Sequence, residues 1–587
     1  MPGSLFKKKW HVLSITLSNV AVFLLLYIFR DADDNRLTSW KWAFADTELG
    51  LTVLIILVGM VFTYVLLDSP ITWQRPSLFL FSVSFAVSAV FWQVPEVIID
   101  ASRYFTQAKH LEMYGATHFF SEWGRGIYAW TDLPLVPFLY GLIFNIFGET
   151  RALIQVFISI IFSGTVVLAY LIGKSLWNEE TGFIAGVLLW GIPYIFSQTP
   201  LMLVDVPAMF FLTLSIYVFI RAMEKGGIWL PVSAVSVFCT VFSKYSAWLM
   251  LSVIAVVFLV YLLKSRENRL PVTDTVNRRP VPGFLTCAYR GISVVLITGV
   301  LVSIAVYFKY DLILDQMIFL REYQAPGLSR WGESFVSTFL YQIHPFITIA
   351  ALYSVYEAVR KKDLKFLIIS WLVLLVVILQ IRRSRYVMVV FPMVTLMASY
   401  GLQKILALEI RRYTASCIVA LSLTVAMFAY MPLLQSMGLV NLRNAGIFLD
   451  SVNAEKVQVF TLPSAKSTVN PSVAVPLLDL YTAKDILYHY DNSVSLPSGR
   501  IETSPIRFTW GYQNPEYYVR AQTGPVSNMI AVITNRGDDS LPGPIGEKLK
   551  GYERIRVFEA ADDLFLYSPV VTVYSPAVNP NNAVIEK

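Results

Sequence analysis

Apolar runs of roughly 20 residues recur through most of this 587-residue chain, and they decide what it can fold into. A run of that length crosses the hydrocarbon of a bilayer as a helix, because a helix satisfies its own backbone polar groups there. About thirteen such stretches are legible, at roughly 10–29, 47–67, 77–95, 151–173, 182–198, 202–222, 228–243, 247–264, 288–308, 344–359, 364–381, 386–406 and 415–433. Charged residues make up 15% of the chain, against roughly 25% in soluble proteins. The 14% aromatic content suits interfacial belts. A net charge of +7 in a multipass chain reflects its cytoplasmic loops and does not point to nucleic acid. Cys239, Cys287 and Cys417 fall in or beside apolar segments at no metal spacing, so they predict buried thiols and no disulfide framework.

The positive-inside rule orients the spans. With the N-terminus cytoplasmic, the inner connections carry Lys7–Lys9, Lys174, Arg221, Lys225, the stretch from Lys264 to Arg290, Arg360-Lys361-Lys362 and Arg411-Arg412. An odd number of spans then puts the C-terminus outside. The Lys7-Lys8-Lys9 start resembles a signal peptide, but no small-residue cleavage site follows, and an uncleaved first span is expected.

Two outer connections exceed a turn. The first runs from about residue 96 to 150 and contains an amphipathic piece, Tyr104 to Tyr114, with apolar positions Tyr104, Phe105, Ala108, Leu111 and Met113. A second apolar piece, Leu133 to Phe147, opens through two prolines and predicts a helix lying in the interface. The second long connection, Lys309 to Tyr341, carries a turn signal at Gln324-Ala325-Pro326-Gly327 and the aromatics Phe319, Tyr323, Trp331, Phe335 and Phe339. After about residue 434 the apolar runs shorten to strand length, at Val457–Leu462, Met529–Thr534, Arg556–Phe558 and Leu564–Tyr567. The expected division is therefore a membrane domain over 1–433 and a soluble extracytoplasmic α/β domain over 434–587, ending in a loose tail of about a dozen residues.

Ionisable residues are nearly absent from the span centres and gather at outer ends: Asp100, Arg103, Asp205, Lys244, Arg382, Arg383 and Arg385. Charge near hydrocarbon is costly, so a convergent set is a functional-site hypothesis. If the third helix continues, Glu96, Asp100, Arg103 and Tyr104 share one face. A carboxylate held there by a cation can act as general base toward a hydroxyl, and the same residues also suit an interfacial ion pair. Asp205 has no basic neighbour in sequence and needs a spatial partner. It can orient an acceptor, bind a cation, or form a purely structural pair with Lys244. Arg382, Arg383 and Arg385, with Lys244 and Arg151, are candidates for binding a phosphate, while headgroup anchoring is the other use of such arginines. His11, His110, His118, His344 and His489 show no zinc spacing. Phe119, Phe120, Trp123, Tyr128 and Trp130 suit stacking on a sugar or an interfacial belt. No phosphate-cradling glycine loop or dinucleotide fingerprint is present, so a nucleotide-sugar donor has no visible site.

The stretch Asp100-Ala-Ser-Arg-Tyr-Phe-Thr-Gln-Ala-Lys-His-Leu resembles the first-loop motif of the GT-C superfamily of membrane glycosyltransferases, in the branch of the protein O-mannosyltransferases and lipid A aminoarabinose transferases. The order of later parts is similar too. Trp130-Thr131-Asp132-Leu133-Pro134 leads to an interfacial helix, Arg151 opens a span, and a cytoplasmic Gly-Lys-Ser-Leu-Trp turn starts at Gly173. Asp205-Val206-Pro207 opens another span, and Arg382-Arg383-Ser384-Arg385-Tyr386 precedes Pro392. The resemblance covers roughly residues 77–410. Two departures stand out. The family's Asp-Glu pair is Asp100-Ala101 here, so either Glu96 or Asp132 replaces the second carboxylate or its role is lost, and dependence on a divalent metal stays open. The Trp-Trp-Asp-Tyr-Gly signature of oligosaccharyltransferases is absent.

The resemblance implies an α-helical polytopic enzyme. It would move a hexose or pentose from a polyprenyl (dolichyl) phosphate to an acceptor hydroxyl on a protein, glycan or lipid, outside the cytoplasm. Asp100, Arg103 and Asp205 would be catalytic, Arg382, Arg383, Arg385, Lys244 and Arg151 would bind the donor phosphate, and Glu96, Tyr104 and Asp132 would support the acceptor. The alternative classes are a polytopic transporter or lipid flippase, which usually shows repeated halves absent here, and a scaffold whose outer domain binds a partner.

Overall fold

The computed structural model describes residues 9–267, 282–324, 332–405, 407–462, 469–488, 506–520, 529–535, 543–560 and 567–577. Lys7 and Lys8, most of the basic stretch between Lys264 and Arg290, the Ala325-Pro326-Gly327 turn with Trp331, His489, and the tail after 577 lie outside these residues.

Among the described residues, nine helices are long and apolar enough to cross a membrane, and the chain is an integral membrane protein. They are Trp10–Ile28, Leu49–Asp68, Pro76–Gln93, Arg151–Leu176, Asp205–Lys225, Ser246–Arg266, Phe284–Phe308, Ser384–Gln403 and Leu408–Ser436. Each coincides with one of the thirteen expected stretches. The other four take different forms. Residues 182–198 form two short helices, Glu179–Leu189 and Pro193–Gln198, because Pro193 has no N–H to continue the first ladder. Trp229–Val241 and Phe366–Ile378 are 13-residue helices, each rising about 20 Å. Pro345–Lys361 is apolar until it ends in Glu357, Arg360 and Lys361.

Two compact units emerge. The first joins 1–92, 131–135 and 156–433 and holds six of the nine candidate spans whole and most of the other three. Here Ser384–Gln403 is 89% buried and Asp205–Lys225 72%, while Trp10–Ile28 and Phe284–Phe308 are 11% buried. The former pair are central helices, and the latter two present their apolar surface to lipid. With no hydrophobic effect between helices in lipid, close packing must hold them, and small residues permit it. Gly401 lies against the Ala350 carbonyl, and Gly59 sits where a Cβ would be 3.4 Å from Ala420 Cβ.

The second unit joins 93–130, 136–155 and 434–587. Its sheet has five strands: β1 Lys456–Thr461, β2 Asp485–Tyr488, β3 Met529–Asn535, β4 Tyr552–Phe558 and β5 Pro569–Pro576. The order is β2-β1-β3-β5-β4, with β2, β1 and β3 parallel and β5 antiparallel to both β3 and β4. The last strand begins at Pro569, beyond the expected Leu564–Tyr567, of which Leu564, Phe565 and Leu566 lie outside the described residues. In the same unit, helix Ala101–Glu122 packs on helix Ala474–Asp479. Tyr104, Phe105, Ala108 and Leu111 are buried as their spacing predicts, whereas Met113 is exposed. Leu135–Phe147 is the 13-residue helix that the two prolines introduce. It crosses Ala101–Glu122 at Gly141, where a Cβ would sit 2.7 Å from the Ala108 carbonyl oxygen.

Candidate active site

In the first unit the charged residues meet at helix ends. Asp205 is the first residue of its helix, where unsatisfied backbone N–H groups favour a carboxylate. It is fully buried, and each of its oxygens has a cation. Lys244 Nζ lies 2.5 Å from Oδ1. Arg385 Nε and Nη2 donate to Oδ2 at 2.9 and 2.8 Å. The break between helix Trp229–Val241 and the next one, which starts at Ser246, brings Lys244 there. Arg385 comes from the first turn of the span that Ser384 opens. Of the sequence alternatives for Asp205, the ion pair with Lys244 is present, and Arg385 completes it from 180 residues away.

Arg383 stands next to this group. Its Nη1 donates to the Tyr386 hydroxyl at 3.2 Å, and its Nε is 3.9 Å from Glu333. Glu333 is buried and accepts the Ser384 N–H at 2.8 Å, which pins the start of the helix carrying Arg385. Burial raises the Glu333 carboxyl above the usual range, against the pull of Arg383. Lys244 lies over the Tyr386 ring at 5.2 Å. Arg382 is exposed and bonds Gln380 at 3.0 Å. Three cations, Arg383, Arg385 and Lys244, thus stand by two carboxylates, Glu333 and Asp205, with exposed Arg382 next in the chain. A guanidinium fork of this kind has the geometry to grip a phosphate or a carboxylate. Asp132 is also in this unit, and its backbone carbonyl accepts from Gln316 Nε2 at 3.2 Å.

The second unit holds the rest of the expected set. Asp100 Oδ1 and Arg103 Nη2 are 3.5 Å apart, and the Arg103 guanidinium lies 4.4 Å from the Phe508 ring centre. Tyr104 is buried beside them. The shared helical face from Glu96 to Tyr104 is corrected: the helix starts at Ala101, and Val94-Pro95-Glu96 runs without helix because Pro95 interrupts it. Glu96 is instead buried against Arg151, with Nε to Oε1 at 2.9 Å. Arg151 also donates to the Val94 carbonyl at 2.6 Å, so its charge is already engaged within the protein. The expected turn from Gly173 is likewise displaced, since its helix continues through Leu176.

One constellation in the second unit escaped sequence reading. Lys109 Nζ lies 2.7 Å from Asp479 Oδ2 and 3.1 Å from Glu149 Oε1, and Tyr518 donates to the same Asp479 oxygen at 2.7 Å. Burial works against the Lys109 charge, but Asp479 and Glu149 more than offset it and raise its pKa. Burial, reinforced by Asp479, pushes the Glu149 carboxyl up to about 8. No sequence signal could pair residues 370 apart. Among the described residues, no group of three or more His, Cys, Asp or Glu side chains is arranged to hold a metal ion.

Residues 132–275 match the family model described as dolichyl-phosphate-mannose-protein mannosyltransferase. This segment contains Asp132, Arg151, Asp205 and Lys244. No curated protein matches the chain by sequence. Among solved structures, ArnT from Cupriavidus metallidurans bound to undecaprenyl phosphate aligns at 11% identity and TM-score 0.50, covering 86% of this chain and 98% of that one. The apo state of the same protein aligns at 11% identity and TM-score 0.48, covering 89% and 98%. The oligosaccharyltransferase AglB from Archaeoglobus fulgidus, with an inhibitory peptide and dolichol-phosphate, aligns at 11% identity and TM-score 0.44, covering 79% and 70%. The resemblance to the GT-C glycosyltransferases that the motifs carry is met again, in a sequence segment by the mannosyltransferase model and in the fold by ArnT.

Proposed function

We propose that this protein is a membrane glycosyltransferase of the GT-C type. It transfers a sugar from a polyprenyl-phosphate donor to an acceptor hydroxyl on the extracytoplasmic side. The observation that carries this reading is buried Asp205 held by Lys244 and Arg385 at helix ends, with Arg383 beside Glu333 and exposed Arg382 in the same segment. A lipid tail lies in the bilayer while its phosphate stays at the interface, and that is where helix ends occur. The family description names a dolichyl-phosphate sugar, and the ArnT structure holds undecaprenyl phosphate. Both are polyprenyl phosphates and present the same phosphate chemistry.

In the proposed reaction the acceptor oxygen attacks the anomeric carbon, its proton passes to the Asp100 carboxylate, and the bond from that carbon to the phosphate oxygen breaks. Polyprenyl phosphate leaves with the electron pair, and the arginines stabilise its growing charge. Arg103 pairs with Asp100 at 3.5 Å and positions its carboxylate. Attack in line with the leaving group inverts the anomeric configuration.

The test is incubation of the purified protein with a panel of polyprenyl-phosphate sugars, scoring free polyprenyl phosphate. Release is expected from one donor, and Asp100→Asn is expected to abolish transfer while leaving membrane insertion intact. No release across the panel, with lipid translocation instead, would replace the enzyme by a flippase.

A further inference from the structure

The connection between the first two spans is polar yet buried, a combination that calls for hydrogen-bonded partners. Asp33, Asn35, Thr38 and Ser39 are each at most 5% exposed. This stretch lies before the residues that resemble the GT-C enzymes and before the segment that matches the mannosyltransferase model. Its side chains reach two late parts of the same unit. The Asp33 carboxylate accepts from the Ser337 hydroxyl at 2.5 Å and from the Gln342 amide at 3.0 Å. Asp34 accepts from the Ser334 hydroxyl at 3.1 Å. Asn35 Nδ2 donates to the Ser384 hydroxyl at 3.2 Å. The Asn35 amide is fixed in this orientation, because its Oδ1 accepts the Leu37 and Thr38 N–H groups at 2.9 and 2.8 Å.

Beyond Ser384 the direction of each bond is determined. Thr338 has one hydroxyl hydrogen, which goes to the Arg382 carbonyl at 2.7 Å. The 2.9 Å bond between the Thr338 and Ser384 hydroxyls is therefore donated by Ser384. Donors run one way, from Asn35 to Ser384 to Thr338 to the Arg382 carbonyl, and both hydroxyls accept and donate. Ser384 and Thr338 are fully buried, and bonds in such a chain polarise and strengthen one another away from water. The Ser384 N–H is held separately by Glu333 at 2.8 Å. The chain is thus held at the Arg382 carbonyl, the Ser384 hydroxyl and the Ser384 N–H, immediately before Arg385 meets Asp205 with its two-nitrogen fork. A rigid fork is only as well placed as the backbone that carries it.

We propose that Asn35 and Thr338 are positioning residues for the transfer reaction: through the relay over Ser384 they hold the 382–385 segment so that its arginines stay aimed at the donor phosphate. Transfer and donor rest on the glycosyltransferase reading; the hold on the segment does not.

The experiment uses the full-length protein in lipid nanodiscs and compares Thr338→Val, which keeps the shape and removes the hydroxyl, with Thr338→Ser, which keeps the hydroxyl. Small misplacement of a binding group costs about 10–100-fold, so kcat/KM for the polyprenyl-phosphate sugar should fall by that factor in Thr338→Val while KM for the acceptor is unchanged. Thr338→Ser should restore most of the loss. Thr338→Val combined with Arg385→Lys should fall little below the worse single variant, because both act through the same fork. Should Thr338→Val fail to fold, Ser384→Ala breaks the same relay by removing one oxygen and is measured alike. An unchanged kcat/KM for the donor, a loss in Thr338→Ser as deep as in Thr338→Val, or additive losses in the double variant overturn the positioning role. If the wild type releases polyprenyl phosphate from no donor, the glycosyltransferase reading falls instead, and amide hydrogen exchange over residues 382–387 judges the hold. Faster exchange in Thr338→Val supports it, and an unchanged rate overturns it.

Discussion

Asp205 holds two cations on its two oxygens at the start of a membrane helix. Removing the carboxylate charge while keeping its shape should therefore be severe. Asp205→Asn is expected to cost about 3–5 kcal/mol, because it strands buried positive charge, and a lowered thermal midpoint in detergent would register it. Arg385→Lys keeps the charge and loses the two-nitrogen fork, so transfer should fall about tenfold or more with a smaller change in midpoint. Equal losses in both quantities would make Arg385 purely structural. His110 offers a pH test. Burial, then His118, lowers its pKa from 6.5 to about 4. The unfolded chain therefore binds more protons between these values, and stability from this group is present above pH 6.5 and lost as pH falls through about 4. The slope of the thermal midpoint over that window should flatten in His110→Phe. The sequence made Asp205 legible as a carboxylate in need of a partner, and Lys244 as the cation at an outer span end that could pair with it. Arg385 and the Lys109–Asp479 contact were not legible, because nothing local encodes a pairing across hundreds of residues.

At the scale of elements, glycines at helix crossings set how closely backbones approach. Gly141 is the clearest in the second unit. Gly141→Leu would drive a side chain into the Ala108 carbonyl and Leu111, at a cost of about 1–3 kcal/mol. Proteolysis of the 101–122 segment should then accelerate, while an unchanged cleavage rate would mean the two helices re-pack freely. The spans themselves were largely readable, since nine apolar stretches became helices of spanning length. Hydropathy alone could not show that residues 182–198 break in two, although Gly191-Ile192-Pro193 carried the signal. It also could not show that Val94-Pro95-Glu96 leaves the helix before Asp100, which redirects Glu96 to Arg151. In the C-terminal segment β1 and β3 were visible as short apolar runs. β2 was missed because it has only four residues, Asp485–Tyr488.

For the whole molecule, the orientation inferred from Lys and Arg placement makes a compartment prediction. Arg360 and Arg382 are both exposed and flank helix Phe366–Ile378. A cysteine at 382 should react with an impermeant maleimide applied from the extracytoplasmic side, and one at 360 only after the membrane is opened. Labelling of both from one side would break the assigned topology. The second unit also has a consequence for biosynthesis. Its early segments end at residue 155 and its remainder begins at 434, so 434 − 155 = 279 positions separate them. At about 5–20 residues per second, the ribosome needs roughly 15–60 s to cover that distance. Until Asp479 emerges, Lys109 and the helix that carries it have been synthesised without the carboxylate that later neutralises them, and this early segment must wait for the last part of the chain to arrive.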